Sequence, residues 1–257
     1  MLSLFAKRTF LDPEDETWHR ETWKFLLKNF GGLKRLRHIP LVNATREFFP
    51  PSDTEGHERA EHIFGCVKRL AGLGDWPCAL VAQPDAPNTK VGEFAILKID
   101  KGSDPAGTFS IRDGVATITY NPASVNEPAK FVATMAHELA HYLLTNTRAD
   151  LPGGEDMHEF ATDLTTVFLG FGLFSANQAF NFTQHGDAFA QGWRSSSLGY
   201  LRERDWAFAL AVFLALRKQP AETLAKLLKP HLYADLRAAS KYLGRHPRVI
   251  SDIEAAG

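Results

Sequence analysis

The chain has 257 residues, 44% of them hydrophobic, enough to bury a core as one large domain or two small ones. Its 29 Lys and Arg nearly balance 30 Asp and Glu, for a net charge of −1, so there is no electrostatic case for nucleic acid or an anionic membrane as partner. Two cysteines, Cys66 and Cys78, are too few for a disulfide framework and read as buried thiols of a reducing compartment.

The N-terminal residues 1–8 hold too short an apolar run for a signal peptide. The most apolar later stretch, 206–216, is too short to span a bilayer. The expected location is therefore the cytoplasm. Residues 1–75 read as mainly helical. Within 16–30, Trp18, Phe25 and Leu26 fall near helical spacing and suit a core face. Lys34 to His38 is a short basic patch on the surface. Pro50, Pro51 and Ser52 mark a turn, with Asp53 or Thr54 capping a helix that runs to about Leu70. Strands are expected near 78–82 and 92–99, with a turn at 100–105. Residues 108–111 and 115–120 flank Arg112-Asp113-Gly114, and Asp-Gly between such runs signals a hairpin.

Asn126-Glu127-Pro128 then reads as a helix start, with Asn126 at the N-cap and Pro128 in the first turn. No Gly or Pro interrupts 131–144. Inside this helix stands His137-Glu138-Leu139-Ala140-His141. Residues four apart lie on one face, one turn from each other. Two imidazoles so placed can hold one metal ion, and a carboxylate beside them can take a proton from water that the ion acidifies. At ~100° per residue, Phe131, Val132, Met135, Leu139, Tyr142 and Leu143 form an apolar stripe, and Ala133, Ala136 and Ala140 a side for close packing. His137, Glu138 and His141 are a narrow polar window in an otherwise buried helix. Burying them unpartnered would cost on the order of several kcal/mol, so the window implies a ligand or a cleft.

A Pro-Gly-Gly loop at 145–154 can rim that cleft. A second helix follows, on which Glu155, Glu159 and Asp163 share one face, continued by Thr166 and Gly170. Phe160, Leu164, Val167 and Phe168 form its core side. Glu159 is the expected third ligand, with His158 its competitor. The stretch 183–199, rich in Gly, Ser and Gln and holding His185 and Trp193, is a candidate substrate-facing loop. Residues 198–242 read as two or three amphipathic helices, with Leu201, Phe208, Ala211, Val212 and Ala215 on one apolar face and Pro220 and Pro230 as punctuation.

HExxH followed by ExxxD on the next helix resembles the gluzincin zinc peptidases, the thermolysin-like group. More loosely, 108–172 resembles the small gluzincins of the ImmA/IrrE type, although Ala140 stands where those chains usually carry Gly. A metzincin is disfavoured, because Leu144 and Thr147 occupy the positions where that family needs Gly and His. The resemblance implies one Zn2+ per chain held by His137, His141 and Glu159. It implies Glu138 as general base and Asp163 orienting a ligand histidine. His158, His185 and Tyr200 are the candidate donors to the oxyanion. The family grips peptides on an edge strand, for which 114–120 is the best candidate. The expected fold is α+β: a small antiparallel sheet on the HExxH helix within a catalytic core at 76–175, between helical parts at 1–75 and 176–257. The expected activity is that of a zinc-dependent peptidase acting on peptide or protein. The alternatives are a catalytically inactive zinc-stabilised binding or regulatory module, and a non-peptidase hydrolase using the same chemistry.

Overall fold

The structure, a computed structural model, describes residues 9–84, 107–112, 115–183 and 201–257. Among these residues the chain is α+β, with nine helices and one three-stranded sheet. The N-terminal part supplies α1 (Pro13–Asn29), α2 (Gly32–His38) and α3 (Gly56–Leu70). Glu14, Asp15 and Glu16 sit in the first turn of α1, where free amides and the helix dipole favour negative charge. Trp18, Trp23, Leu26 and Leu27 are buried along it, and Phe25 packs half-buried against the same core. The cap expected at Asp53 or Thr54 is not used. Glu55 takes the N-cap position of α3, and the Ser52 and Thr54 hydroxyls instead bond each other at 2.7 Å.

The sheet holds β1 (Cys78–Ala82), β2 (Gly107–Arg112) and β3 (Val115–Tyr120) in the order β1-β3-β2. β2 and β3 pair antiparallel, with Phe109 opposite Ile118, as the Asp-Gly signal predicts. β1 joins the other side of β3 in parallel, with Leu80 opposite Ile118. The sheet is therefore mixed rather than antiparallel, and the 115–120 strand is its centre rather than its edge. Alternation along a strand specifies which face is buried, but carries no information on the direction of a distant neighbour. The strand expected at 92–99 and the turn at 100–105 lie outside the described residues. Ala116, Ile118 and Tyr120 turn one face of β3 into the core, where Tyr120 meets Phe131 edge-on.

Phe131 belongs to α4 (Pro128–Leu144), the helix that carries the HExxH residues. Its start differs from expectation. Asn121, not Asn126, acts as a cap, accepting from the Ala123 amide at 2.9 Å at the head of a 3-10 turn. Glu127 then takes the N-cap place and Pro128 opens the helix, where its missing amide proton costs nothing. α5 (His158–Phe168) and α6 (Gly172–Thr183) follow. The bend between them runs through Gly170 at φ +90°, whose carbonyl accepts from the Val42 amide at 3.0 Å. A Cβ there would run into the Pro40 carbonyl oxygen, so only glycine lets the two segments meet.

The C-terminal part forms α7 (Glu203–Leu216), α8 (Pro230–Arg245) and α9 (Pro247–Glu254). α7 is not an amphipathic surface helix. It is buried continuously from Asp205 to Leu214, packed among α5, α6 and α8. α8 does show one apolar face, with Leu232, Leu236, Ala239 and Leu243 at helical spacing. Buried side chains from Phe10 to Ile253 join in one contiguous core, so all three sequence parts share it. Cys66 is buried, but Cys78 is only half-buried; both are free thiols. Among the described residues no helix is long and apolar enough to cross a membrane.

Candidate metal centre

α4 and α5 pack against each other and bring three side chains to one point. His137 Nε2 and His141 Nε2 lie 3.1 Å apart. Glu159 Oε2 is 3.3 Å from the first and 3.5 Å from the second. These three residues are the one group among the described residues whose donor atoms converge closely enough to hold a metal ion. The same separations are hydrogen-bonding distances, so a proton on His137 Nε2 can bridge to His141 Nε2 or to Glu159 Oε2.

Each histidine has a partner behind it. His137 Nδ1 is 3.0 Å from Asp163 Oδ1, and Asp163 Oδ2 accepts from the Leu201 amide at 3.0 Å. Asp163 is thereby fixed by the chain just before α7 while it fixes His137. His141 Nδ1 lies 3.4 Å from Thr162 Oγ1. Glu159, Thr162, Asp163 and Thr166 share one face of α5 at i, i+3, i+4 and i+7. Glu155 does not join them. α5 begins only at His158, after bends at Gly153 and Gly154, and Glu155 falls in a preceding 3-10 turn where it pairs with Arg148. His158 is buried, with its ring stacked on His141 at 4.9 Å between centroids and its Nδ1 3.6 Å from Glu159 Oε1. It therefore contacts two of the three clustered residues without entering the converging group. The 145–154 segment is a 3-10 turn and bend pinned to α1, where Trp18 Nε1 donates to the Pro152 carbonyl at 2.9 Å. The Glu159 side chain keeps 43% of its surface exposed. His185 and Tyr200, like most of the 183–199 stretch, lie outside the described residues.

Glu138 is buried beside this cluster, at 6% exposure. β2 lies against it: a Cβ on Gly107 would stand 3.3 Å from Glu138 Cγ. The Phe109 amide faces its carboxylate, which marks this as the edge of β2 that points away from β3. Burial and the nearby charge of Glu159 push the Glu138 carboxyl up to about 7, against the opposing pull of His137. Burial alone would lower His137, but the hydrogen bonds that Asp163 and Glu159 accept from it outweigh this and raise the imidazole to about 10. Burial would raise Glu159, yet the three histidines around it hold its carboxyl far below the usual range. Burial holds His141 below its ordinary value, with the charges of His137 and His158 acting the same way and Glu159 opposing them. An incoming cation would therefore compete with a proton for His137 and meet a carboxylate at Glu159 that resists protonation.

Three supports of this site escaped the sequence reading. Thr162 had a signal in its spacing from Glu159. The Phe109 and Leu201 amides had none, because any residue carries a backbone N–H. No protein-family model, curated protein or solved structure matches this chain in comparison.

Proposed function

We propose that this chain is a zinc-dependent hydrolase, and specifically a peptidase of gluzincin type. The observation that carries the proposal is the convergence of His137, His141 and Glu159, with Glu138 buried beside them. Four donors around a tetrahedral zinc, at ~2.0–2.1 Å from it, stand about 3.3 Å apart. The observed separations of 3.1, 3.3 and 3.5 Å straddle that value. Two imidazoles and a carboxylate are also the donor types of open catalytic zinc sites. When bound, zinc supplies Lewis acidity that polarises a substrate carbonyl and acidifies water.

The protein's own groups supply the rest. Glu138 is the general base, with a proton affinity near neutrality that lets it take a proton from water and return it to the leaving amine. Asp163 holds the His137 proton on Nδ1 and so keeps Nε2 for the ion. The substrate backbone pairs with the edge of β2 that points away from β3, because among the described residues β2 is an edge strand and it borders Glu138. The free thiols of Cys66 and Cys78 support a reducing, cytoplasmic setting. A binding module closed by four protein ligands is less well supported, since His158 lies outside the converging group.

The test is zinc content by elemental mass spectrometry for wild type, Glu159→Ala and Glu138→Gln, followed by hydrolysis of a mixed peptide library. The expected result is about one zinc per wild-type chain, strong loss in Glu159→Ala, and full zinc without turnover in Glu138→Gln. Absence of zinc from wild type after zinc is added back would falsify the proposal. Retained turnover in Glu138→Gln would remove the mechanism.

A further inference from the structure

A histidine binds a metal through one ring nitrogen, and the hydrogen bond made by the other nitrogen decides which one is available. For His137 that partner is Asp163. For His141 the neighbouring group is the Thr162 hydroxyl, 3.4 Å from Nδ1 and fully buried. The hydroxyl donates its own proton to the His158 carbonyl oxygen at 2.9 Å. A hydroxyl has one proton, so Oγ1 can present only lone pairs to His141. With the hydroxyl proton engaged by that shorter bond, the arrangement favours the imidazole proton on Nδ1 and the lone pair on Nε2. That lone pair faces His137 Nε2 at 3.1 Å and Glu159 Oε2 at 3.5 Å, at the point where the three donors meet.

We propose that Thr162 is a positioning residue of the metal centre. The chain from His141 Nδ1–H to Thr162 Oγ1–H to the His158 carbonyl locks His141 in the tautomer that offers Nε2 to the ion. The proposal rests on the zinc reading above and extends it to a residue outside the HExxH and ExxxD motifs. α5 then serves both histidines from adjacent positions, Thr162 for His141 and Asp163 for His137. His158, which the sequence offers as a rival ligand, contributes its backbone carbonyl to the relay. Burial matters because the Thr162 hydroxyl is fully buried and its bonds act in a low-dielectric interior.

Thr165 supplies the control. It is equally buried on the same helix and donates to the Ala161 carbonyl at 2.7 Å, a bond of the same kind that involves no histidine. Two measurements test the proposal: zinc affinity by competition with a chromophoric chelator, and the His141 tautomer from ¹⁵N-resolved imidazole spectra of metal-free protein. Thr162→Val should weaken zinc binding about tenfold, at the lower end of the effect of removing a ligand's supporting partner. Thr162→Ser should restore it, and Thr165→Val should leave it unchanged. Metal-free wild type should show His141 protonated on Nδ1, and Thr162→Val should shift it towards Nε2–H. A wild-type His141 protonated on Nε2 overturns the proposal whether or not any variant folds. So does a Thr162→Val protein with wild-type zinc affinity, a result that leaves the metal centre standing. Wild type that binds no zinc brings down the centre itself and the proposal with it.

Discussion

In the metal-free protein, Glu138→Gln should stabilise the fold much more at alkaline pH than at acid pH. Burial and the charge of Glu159 raise this carboxyl from its ordinary 4.5 to about 7. The folded protein therefore binds the proton more tightly than the unfolded chain does. The stability this confers is complete below about pH 4.5 and is lost as pH climbs through 7, where the buried group must ionise. Taken over the whole interval, the loss amounts to about 3 kcal/mol. Glutamine keeps the shape and an acceptor for the Phe109 amide, and carries no charge to desolvate. Urea denaturation of both proteins, stripped of metal, measures the difference. The variant should gain about 1 kcal/mol at pH 5 and about 3 kcal/mol at pH 8.5, the latter moving the midpoint by about 1 M at an m-value near 3 kcal/mol/M. An equal gain at the two pH values, or a variant weaker than wild type at pH 8.5, would refute the argument that Glu138 is ionised against a burial cost.

Three further substitutions probe the scaffold of the site. Asp163→Asn should weaken zinc binding 10- to 100-fold while leaving the protein folded, because Asn still accepts from the Leu201 amide but cannot hold the His137 proton as a carboxylate does. A competition titration with unchanged affinity would show that His137 needs no such support. Gly170→Ala should cost about 3 kcal/mol, combining a left-handed backbone with a collision against Pro40. A denaturation midpoint near that of wild type would disprove the close approach. Arg202→Met should cost about 2 kcal/mol, since it strips the guanidinium from two buried carboxylates, Asp15 and Asp205; the figure is reduced because Arg202 is itself 36% exposed. Chemical denaturation at pH 7 checks this, and a neutral result would mean that the remaining His19–Asp205 contact suffices for the cluster.

The difference between what could and could not be read in advance follows from range. His137 and His141, like Glu159 and Asp163, are spaced within single helices, and helix geometry sets such neighbours whatever surrounds them. The apolar stripe of α4 could be read for the same reason, and Phe131, Met135 and Leu139 are fully buried. The start of α4 could not, because Asn121 and Asn126 offer the same side chain and a 3-10 turn intervenes before the helix. α7 looked amphipathic from its own residues. Burial from Asp205 to Leu214 comes from α5, α6 and α8, which no local pattern describes.

By itself, then, the sequence determined that two helices each carry chemistry at one-turn spacing, that an Asp-Gly hairpin precedes them, and that the composition suffices for a core. Only the tertiary structure decided that the two helices meet with Glu159 Oε2 within 3.5 Å of both histidines. It also decided that β2 rather than β3 borders Glu138, and that Thr162 and the Leu201 amide stand behind the site. The physical reason is that backbone periodicity is local, whereas strand direction, backbone hydrogen-bond partners and the proton affinity of a buried carboxyl are set by segments brought together from far apart in the chain.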